Sequence, residues 1–229
     1  MAIAYVDSSS NTTSGTTHAS TALSGAVTVG NLLIASLVFR AASAPAAFSW
    51  PGSWASVASV GVLNNQRVEI GYLIAASATD DEVTITSTET DTGIVYMSEY
   101  SGMAASPLDI HAAATASGGG DDITVTQGGA INEDDELLWA VCGIYGDHSA
   151  DTYAASDSFT VRQGFQGTAF RACSGGFADR IVSSKDTYAT TQSGWVDTFQ
   201  TRVGVMATFK MASGTSVPVI MSGFRHRWG

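Results

Sequence analysis

The sequence predicts an all-β protein: an antiparallel β-sandwich, jelly-roll-like, built from two pseudo-repeated halves. Three observations carry this. Apolar residues alternate with polar or small ones at a two-residue period. Glycine- and proline-containing breaks separate these runs. A set of short motifs recurs in the same order about 105 residues later.

The alternation is read segment by segment. Val68, Ile70, Tyr72 and Ile74 alternate with Glu69, Gly71 and Leu73. Val83 and Ile85 alternate with Thr84 and Thr86, and Ile123 and Val125 with Thr124 and Thr126. Val203, Val205, Ala207 and Phe209 alternate with Gly204, Met206, Thr208 and Lys210. Residues 32–39 are almost continuously apolar, which suits a strand covered on both faces. Ser24-Gly25, Pro51-Gly52, Gly118-Gly119-Gly120 and Gly128-Gly129 punctuate the runs. Short strands between such turns point to a sandwich or barrel.

The repeat is weak at each point but consistent in order. Gly30-Asn31-Leu32-Leu33-Ile34-Ala35 matches Asp135-Glu136-Leu137-Leu138-Trp139-Ala140. The same offset carries Trp54 onto Phe159 and Gly71-Tyr72 onto Gly176-Phe177. It also sets residues 83–86 against 188–191. Residues 94–100 match 203–209 at an offset near 109. Two arrangements fit. Each half could be its own small sandwich, or the halves could share one sandwich of eight strands. The shared sandwich is preferred, spanning residues 1–210, with pseudo-repeats of about 20–105 and 123–210. The connection 101–122, with its Pro107-Leu108-Asp109, does not read as a flexible tether. Residues 211–229 form a separate tail.

Composition narrows the function classes. Only 14% of residues are charged, against the usual quarter, and Ser, Thr, Ala and Gly fill the gap. A surface of small uncharged side chains suits shells and packed assemblies better than a cytosolic enzyme. The net charge of −11 disfavours a phosphate backbone as partner, so no nucleic acid is expected. The acidic runs 79–82, 121–122 and 133–136 read as solvated turns. Calcium ligation is the sharper alternative, but no Asp-x-Asp-x-Asp-Gly loop is present.

Two cysteines, Cys142 and Cys173, make no disulfide framework. Buried thiols are the default, and a single bond stays open if their strands are neighbours. The N-terminus lacks a basic segment followed by an apolar stretch, so no signal peptide is expected. Residues 32–39 are too short to span a bilayer, so no membrane is expected either.

Catalytic chemistry leaves little trace. No Gly-x-Ser-x-Gly elbow or phosphate loop occurs. His18, His111, His148 and His226 are scattered and read as packing or surface residues. Asp147-His148 with Asp151 is a poor zinc pattern. Glu69 and Glu99 lie in expected strands and, by alternation, point outward to solvent. No enzyme, metal or cofactor is expected. Trp50 and Trp54 flank Pro51-Gly52-Ser53, and Trp195 follows Ser193-Gly194. They read as aromatics capping the sandwich ends, with sugar stacking as the alternative. The tail places Phe224, Arg225, His226, Arg227 and Trp228 together in an acidic protein. Aromatic and arginine anchors suit docking on a neighbour; folding back on the acidic body is the other reading.

Several motifs point to a family. Ser98-Glu99-Tyr100-Ser101-Gly102 with Pro107-Leu108-Asp109 is one. Gly30-Asn31-Leu32-Leu33-Ile34-Ala35 is a second. Tyr72-Leu73-Ile74-Ala75-Ala76 followed by Val83-Thr84-Ile85-Thr86 is a third. Together, over about residues 20–210, they resemble a β-sandwich domain of phage and prophage virion proteins and of some bacterial surface proteins. That resemblance implies a structural or adhesive role and carries no catalytic residues. The expectation is a phage virion protein, made in the host cytoplasm, of the capsid decoration or cement type. Its partners would be major capsid or other virion subunits. It would be a homo-oligomer, for which a trimer is one arrangement. A receptor- or carbohydrate-binding module of a phage tail or bacterial surface is the alternative.

Overall fold

Alternating and continuous apolar runs become strands throughout the computed structural model, which describes residues 2–41, 47–57, 61–63, 65–118, 122–145, 153–165, 173–194 and 201–213. In chain order the strands are β1 (Ala4–Ala19), β2 (Leu32–Arg40), β3 (Phe48–Ser49), β4 (Ala55–Ser56) and β5 (Gly61–Leu63). Then come β6 (Gln66–Ile74), β7 (Thr84–Ser101), β8 (Met103–Ala116), β9 (Ile123–Thr126) and β10 (Glu136–Tyr145). Last are β11 (Ala154–Ala155), β12 (Thr160–Phe165), β13 (Cys173–Val182), β14 (Ala189–Ser193) and β15 (Arg202–Met211). No helix occurs among the described residues.

The first sheet has the order β1-β7-β2-β6-β4, with β3 on β7 and β5 on β6. The second has the order β12-β13-β10-β15-β8, and the third the order β11-β14-β9. All pairings are antiparallel. The first two sheets pack face to face as a β-sandwich. Leu32, Ile34, Val38, Val68, Ile70, Tyr96 and Tyr100 meet Leu137, Trp139, Val141, Phe177, Val205 and Phe209 in one shared core.

Each large sheet is also covered on its other face, which explains why β2 is buried at every position. Leu33, Ala35, Leu37 and Phe39 pack under Leu23, Val27, Val83, Ile85 and the half-buried Phe48, Trp50 and Trp54. On the second sheet, Leu138, Ala140, Ala178 and Met206 pack under Val125, Ile131, Phe159 and Tyr188.

The two large sheets use matching strand orders. Leu32 pairs with Tyr100 on one side and Ile74 on the other, and Leu137 pairs with Phe209 and Ile181. The match of Gly71-Tyr72 to Gly176-Phe177 does not follow this register. Tyr72 faces Ile34, whereas Asp179 faces Trp139, a shift of two residues that preserves which face each side chain occupies.

Besides the short strands β3, β4, β5, β11 and β12, two long segments were not anticipated as strands. β1 is rich in Ser and Thr, yet pairs with β7 along its length. Residues 103–116, part of the expected connection between halves, form β8 at the edge of the second sheet. The turn between β7 and β8 needs Gly102, whose φ is +81° and where a Cβ would lie 2.3 Å from the Ala2 carbonyl oxygen.

A cross-strand row of small residues shapes the outer face of the second sheet. Gly164, Gly176, Cys142, Gly204 and Ala114 stand side by side on β12, β13, β10, β15 and β8. The Tyr153 ring lies on Gly164 and Gly176, and Val125 and Ile123 lie on Gly204.

Candidate functional site

The turn Pro51-Gly52-Ser53, closed by the Trp54 amide donating to the Pro51 carbonyl at 2.9 Å, folds two indoles onto each other. Trp50 and Trp54 stack with centroids 6.0 Å apart and an interplanar angle of 27°. Gly71 provides the seat: a Cβ there would meet the Trp50 ring at 2.4 Å. Trp50 Nε1 donates to Glu69 Oε2 at 3.1 Å, and Arg67 Nε donates to Glu69 Oε1 at 2.6 Å. The Arg67 guanidinium also stands 5.2 Å from the Phe48 ring centroid. Both tryptophans are half-buried, packed on the outer core of the first sheet. An open groove of about 290 Å³, lined by Ser53, Ala55, Tyr72, Ile74, Ser106 and Leu108, runs from this turn to β8, and neither tryptophan lines it. Trp50 and Trp54 are the described part of the expected site. Trp195, Phe224, Arg225, His226, Arg227 and Trp228 lie outside the described residues.

Glu69 and Glu99 correct an expectation. Alternation does turn both away from the shared core, but the face they reach is itself covered. Glu69 is 4% exposed and Glu99 2%. Glu99 Oε1 accepts the Thr28 amide at 2.9 Å and the Asn31 amide nitrogen at 2.5 Å, fastening the 28–31 turn to β7. The two carboxylates stand on opposite sides of β2, opposite Leu37 and Leu33. Four residues along a strand is roughly 13 Å. With that separation, and with both groups engaged by protein donors, they do not form the facing pair that glycoside hydrolysis needs.

His18 is fully buried against Phe39. Its Nδ1 lies 2.6 Å from Thr13 Oγ1 and its Nε2 3.1 Å from Ser87 Oγ. Ser87 Oγ donates to the Glu89 carbonyl at 2.7 Å. The hydroxyl therefore accepts from Nε2, and Nδ1 accepts from Thr13, an assignment made from the network. Nε2 carries the proton, so this serine–histidine contact is not a nucleophile–base pair. Burial pushes the imidazole pKa down, in keeping with a neutral ring.

The acidic runs serve turns, their own and a neighbouring one. Asp80 Oδ2 accepts the Ala76 and Ser77 amides at 2.8 and 2.9 Å. Asp134 accepts the Lys185 amide at 2.9 Å. No group of three or more His, Cys, Asp or Glu among the described residues could hold a metal. Cys142 is a buried thiol in contact with Tyr153. Cys173 pairs in register with Tyr145, three residues further along the strand that carries Cys142.

Two polar groups, Asp179 and Arg202, escaped the sequence reading, and a third, Glu136, was misread. Asp179 joins the two large sheets: it accepts from Tyr100 of β7 and from Arg162 Nε of β12 at 2.9 Å. Arg162 lies 4.1 Å from the centroid of the Tyr5 ring of β1. Glu136 is fully buried next to Asp109, and burial pushes its pKa up to about 7. Arg202 is buried at the start of β15. Asp179 and Arg202 carry no sequence signal, since each sits in an ordinary strand pattern, whereas Glu136 corrects an expectation: it ends the acidic run 133–136, expected to be a solvated turn, but starts β10 and is buried with it.

No helix among the described residues is long and apolar enough to cross a membrane. In comparison with known proteins, no family model, no curated protein and no solved structure matches the chain.

Proposed function

We propose that this chain is a virion structural protein of a phage, of the capsid decoration or cement type, stabilising a shell by binding major capsid subunits as a homo-oligomer. The observation that supports this most is β1. It is a 16-residue edge strand, paired among the described residues only with β7. Its sequence holds neither lysine nor proline, the usual protection of an exposed edge. Asp7 is its one acidic residue, and its one histidine is buried. Such a border fits contact with neighbouring subunits, where many modest contacts repeat over a symmetric shell. The basic and aromatic tail is the second contact element in this reading. Deleting residues 217–229 is expected to reduce occupancy on purified shells, read by electron microscopy, with the β-sheet circular dichroism unchanged. Undiminished occupancy would remove the tail from the docking role.

A receptor- or carbohydrate-binding module is the second reading. The stacked Trp50–Trp54 pair, with Glu69 and Arg67, favours it. Saccharides stack on such aromatic faces while polar groups fix the hydroxyls. Glycan binding on an array that disappears in Trp54→Ala supports it, and an empty array for the intact chain counts against it.

A further inference from the structure

At the end of the second sheet where β8 finishes and β15 begins, the buried guanidinium of Arg202 is incompletely satisfied. Arg202 is 3% exposed. Its Nη2 donates to the Gly118 carbonyl at 3.0 Å, while Nε and Nη1 have no hydrogen-bond partner among the described residues. The ion pairs among the described residues, Arg67–Glu69 and Arg162–Asp179, do not involve it. A buried cation without a counter-charge is strongly disfavoured, and arginine, unlike lysine, does not shed its proton to escape.

A second donor enters the same layer from the third sheet. Gln192 of β14 is fully buried. Its Oε1 accepts the Tyr153 hydroxyl at 3.1 Å, which fixes the amide, and its Nε2 has no partner. Gln192 stands opposite Ile123 in register. Ile123 and Tyr153 pack in one cluster with Ile144, and Ile144 is the cross-strand neighbour of Arg202. Arg202 and Gln192 thus border the same apolar cluster between the second and third sheets, and each brings N–H groups without an acceptor among the described residues.

We propose that Arg202 and Gln192 form a binding site for a small oxyanion, a phosphate or a carboxylate. Guanidinium and primary amide donors match the acceptor oxygens of such groups, and the apolar walls strengthen charge-assisted hydrogen bonds. The site is separate from the tryptophan surface, which lies on the outer face of the first sheet.

The test uses the full chain. Inorganic phosphate and, separately, acetate are titrated by calorimetry at constant ionic strength against chloride, with thermal unfolding followed in parallel. One saturable site per chain is expected, with a melting temperature that rises with the binding anion; the tighter of the two identifies the natural source of the oxyanion. Arg202→Met is expected to abolish the response and Gln192→Met to weaken it about tenfold. In anion-free buffer, Arg202→Met is expected to be at least as stable as the parent, because it removes an uncompensated charge. An arginine that served only to hold Gly118 would instead leave the variant less stable at every anion concentration. Neither anion binding to the parent chain, or binding undiminished in both variants, would overturn the proposal. If neither variant folds, titration of the parent chain decides it alone.

Discussion

Glu136 is the residue through which pH acts most directly on this fold. It is fully buried, its Oε1 accepts the Glu133 amide at 3.2 Å, and Asp109 stands beside it. Burial, then the neighbouring carboxylate, raises its pKa from 4.5 to about 7. Asp109 moves the other way: despite its own burial, the Asn132 backbone and side-chain donors at 2.8 and 2.7 Å hold it low. Because the folded state binds the Glu136 proton more tightly than the unfolded chain, its contribution is full below pH 4.5 and is lost as pH rises to about 7. The loss is at most about 3 kcal/mol. His18 has the opposite sign. Its lowered pKa gives stability that is present above pH 6.5 and lost on acidification. Glu136→Gln is therefore expected to remove the fall in stability between pH 5 and 8, measured by urea unfolding, while leaving the acid-side loss from His18. An unchanged profile in the variant would show that Glu136 titrates normally.

Among the elements, legibility followed burial of the strand's two faces. β2, β6, β9 and β15 were readable because their side chains alternate between well-separated environments or are apolar on both sides. β1 and β8 were not. Both are sheet edges without an apolar alternation, β1 made mostly of Ser and Thr and β8 rich in Ala, whose strand propensity is low, and tertiary pairing decides their conformation. The candidate site was legible in the same uneven way. The Trp50-Pro51-Gly52-Ser53-Trp54 turn announced two adjacent aromatics, but Gly71, which seats Trp50, looked like any strand glycine. Glu69 and Glu99 were misplaced because alternation reports which face a residue takes, not whether a further layer covers that face. The seat can be tested. Gly71→Ala forces the Trp50 ring away and breaks its bond to Glu69. A cost of about 1–3 kcal/mol is expected, together with a red-shifted tryptophan emission. Substitution without either change would mean that Trp50 is not held there.

For the whole molecule the shared core is decisive, because neither large sheet can bury its inner face alone. Trp139 is the clearest link. It is fully buried, stacks on Tyr96 with centroids 5.5 Å apart, and donates Nε1 to Ser36 Oγ of the opposite sheet at 2.8 Å. Phe177 adds a second stacked contact to Tyr96 at 4.6 Å. Tyr100 bonds Asp179 across the same seam, and burial with that carboxylate holds the phenol pKa well above its ordinary range. Each half also closes its outer face with its own segments, so the sequence alone left open whether two sandwiches or one would form. The inner faces settle how the halves depend on each other. Separated, residues 1–102 would expose Leu32, Ile34, Ile70, Tyr96 and Tyr100 to water, an apolar face that isolated soluble chains do not keep. The two sheets are therefore expected to unfold in one transition. Trp139→Ala should cost about 3–5 kcal/mol and lower hydrogen-exchange protection in β2 and β7 as much as in β10 and β15. Protection lost in the second sheet alone would show that the seam does not couple the halves. Trp139→Phe separates the packing from the hydrogen bond: it keeps a ring against Tyr96 but strands the Ser36 hydroxyl, for an expected cost of about 1–3 kcal/mol.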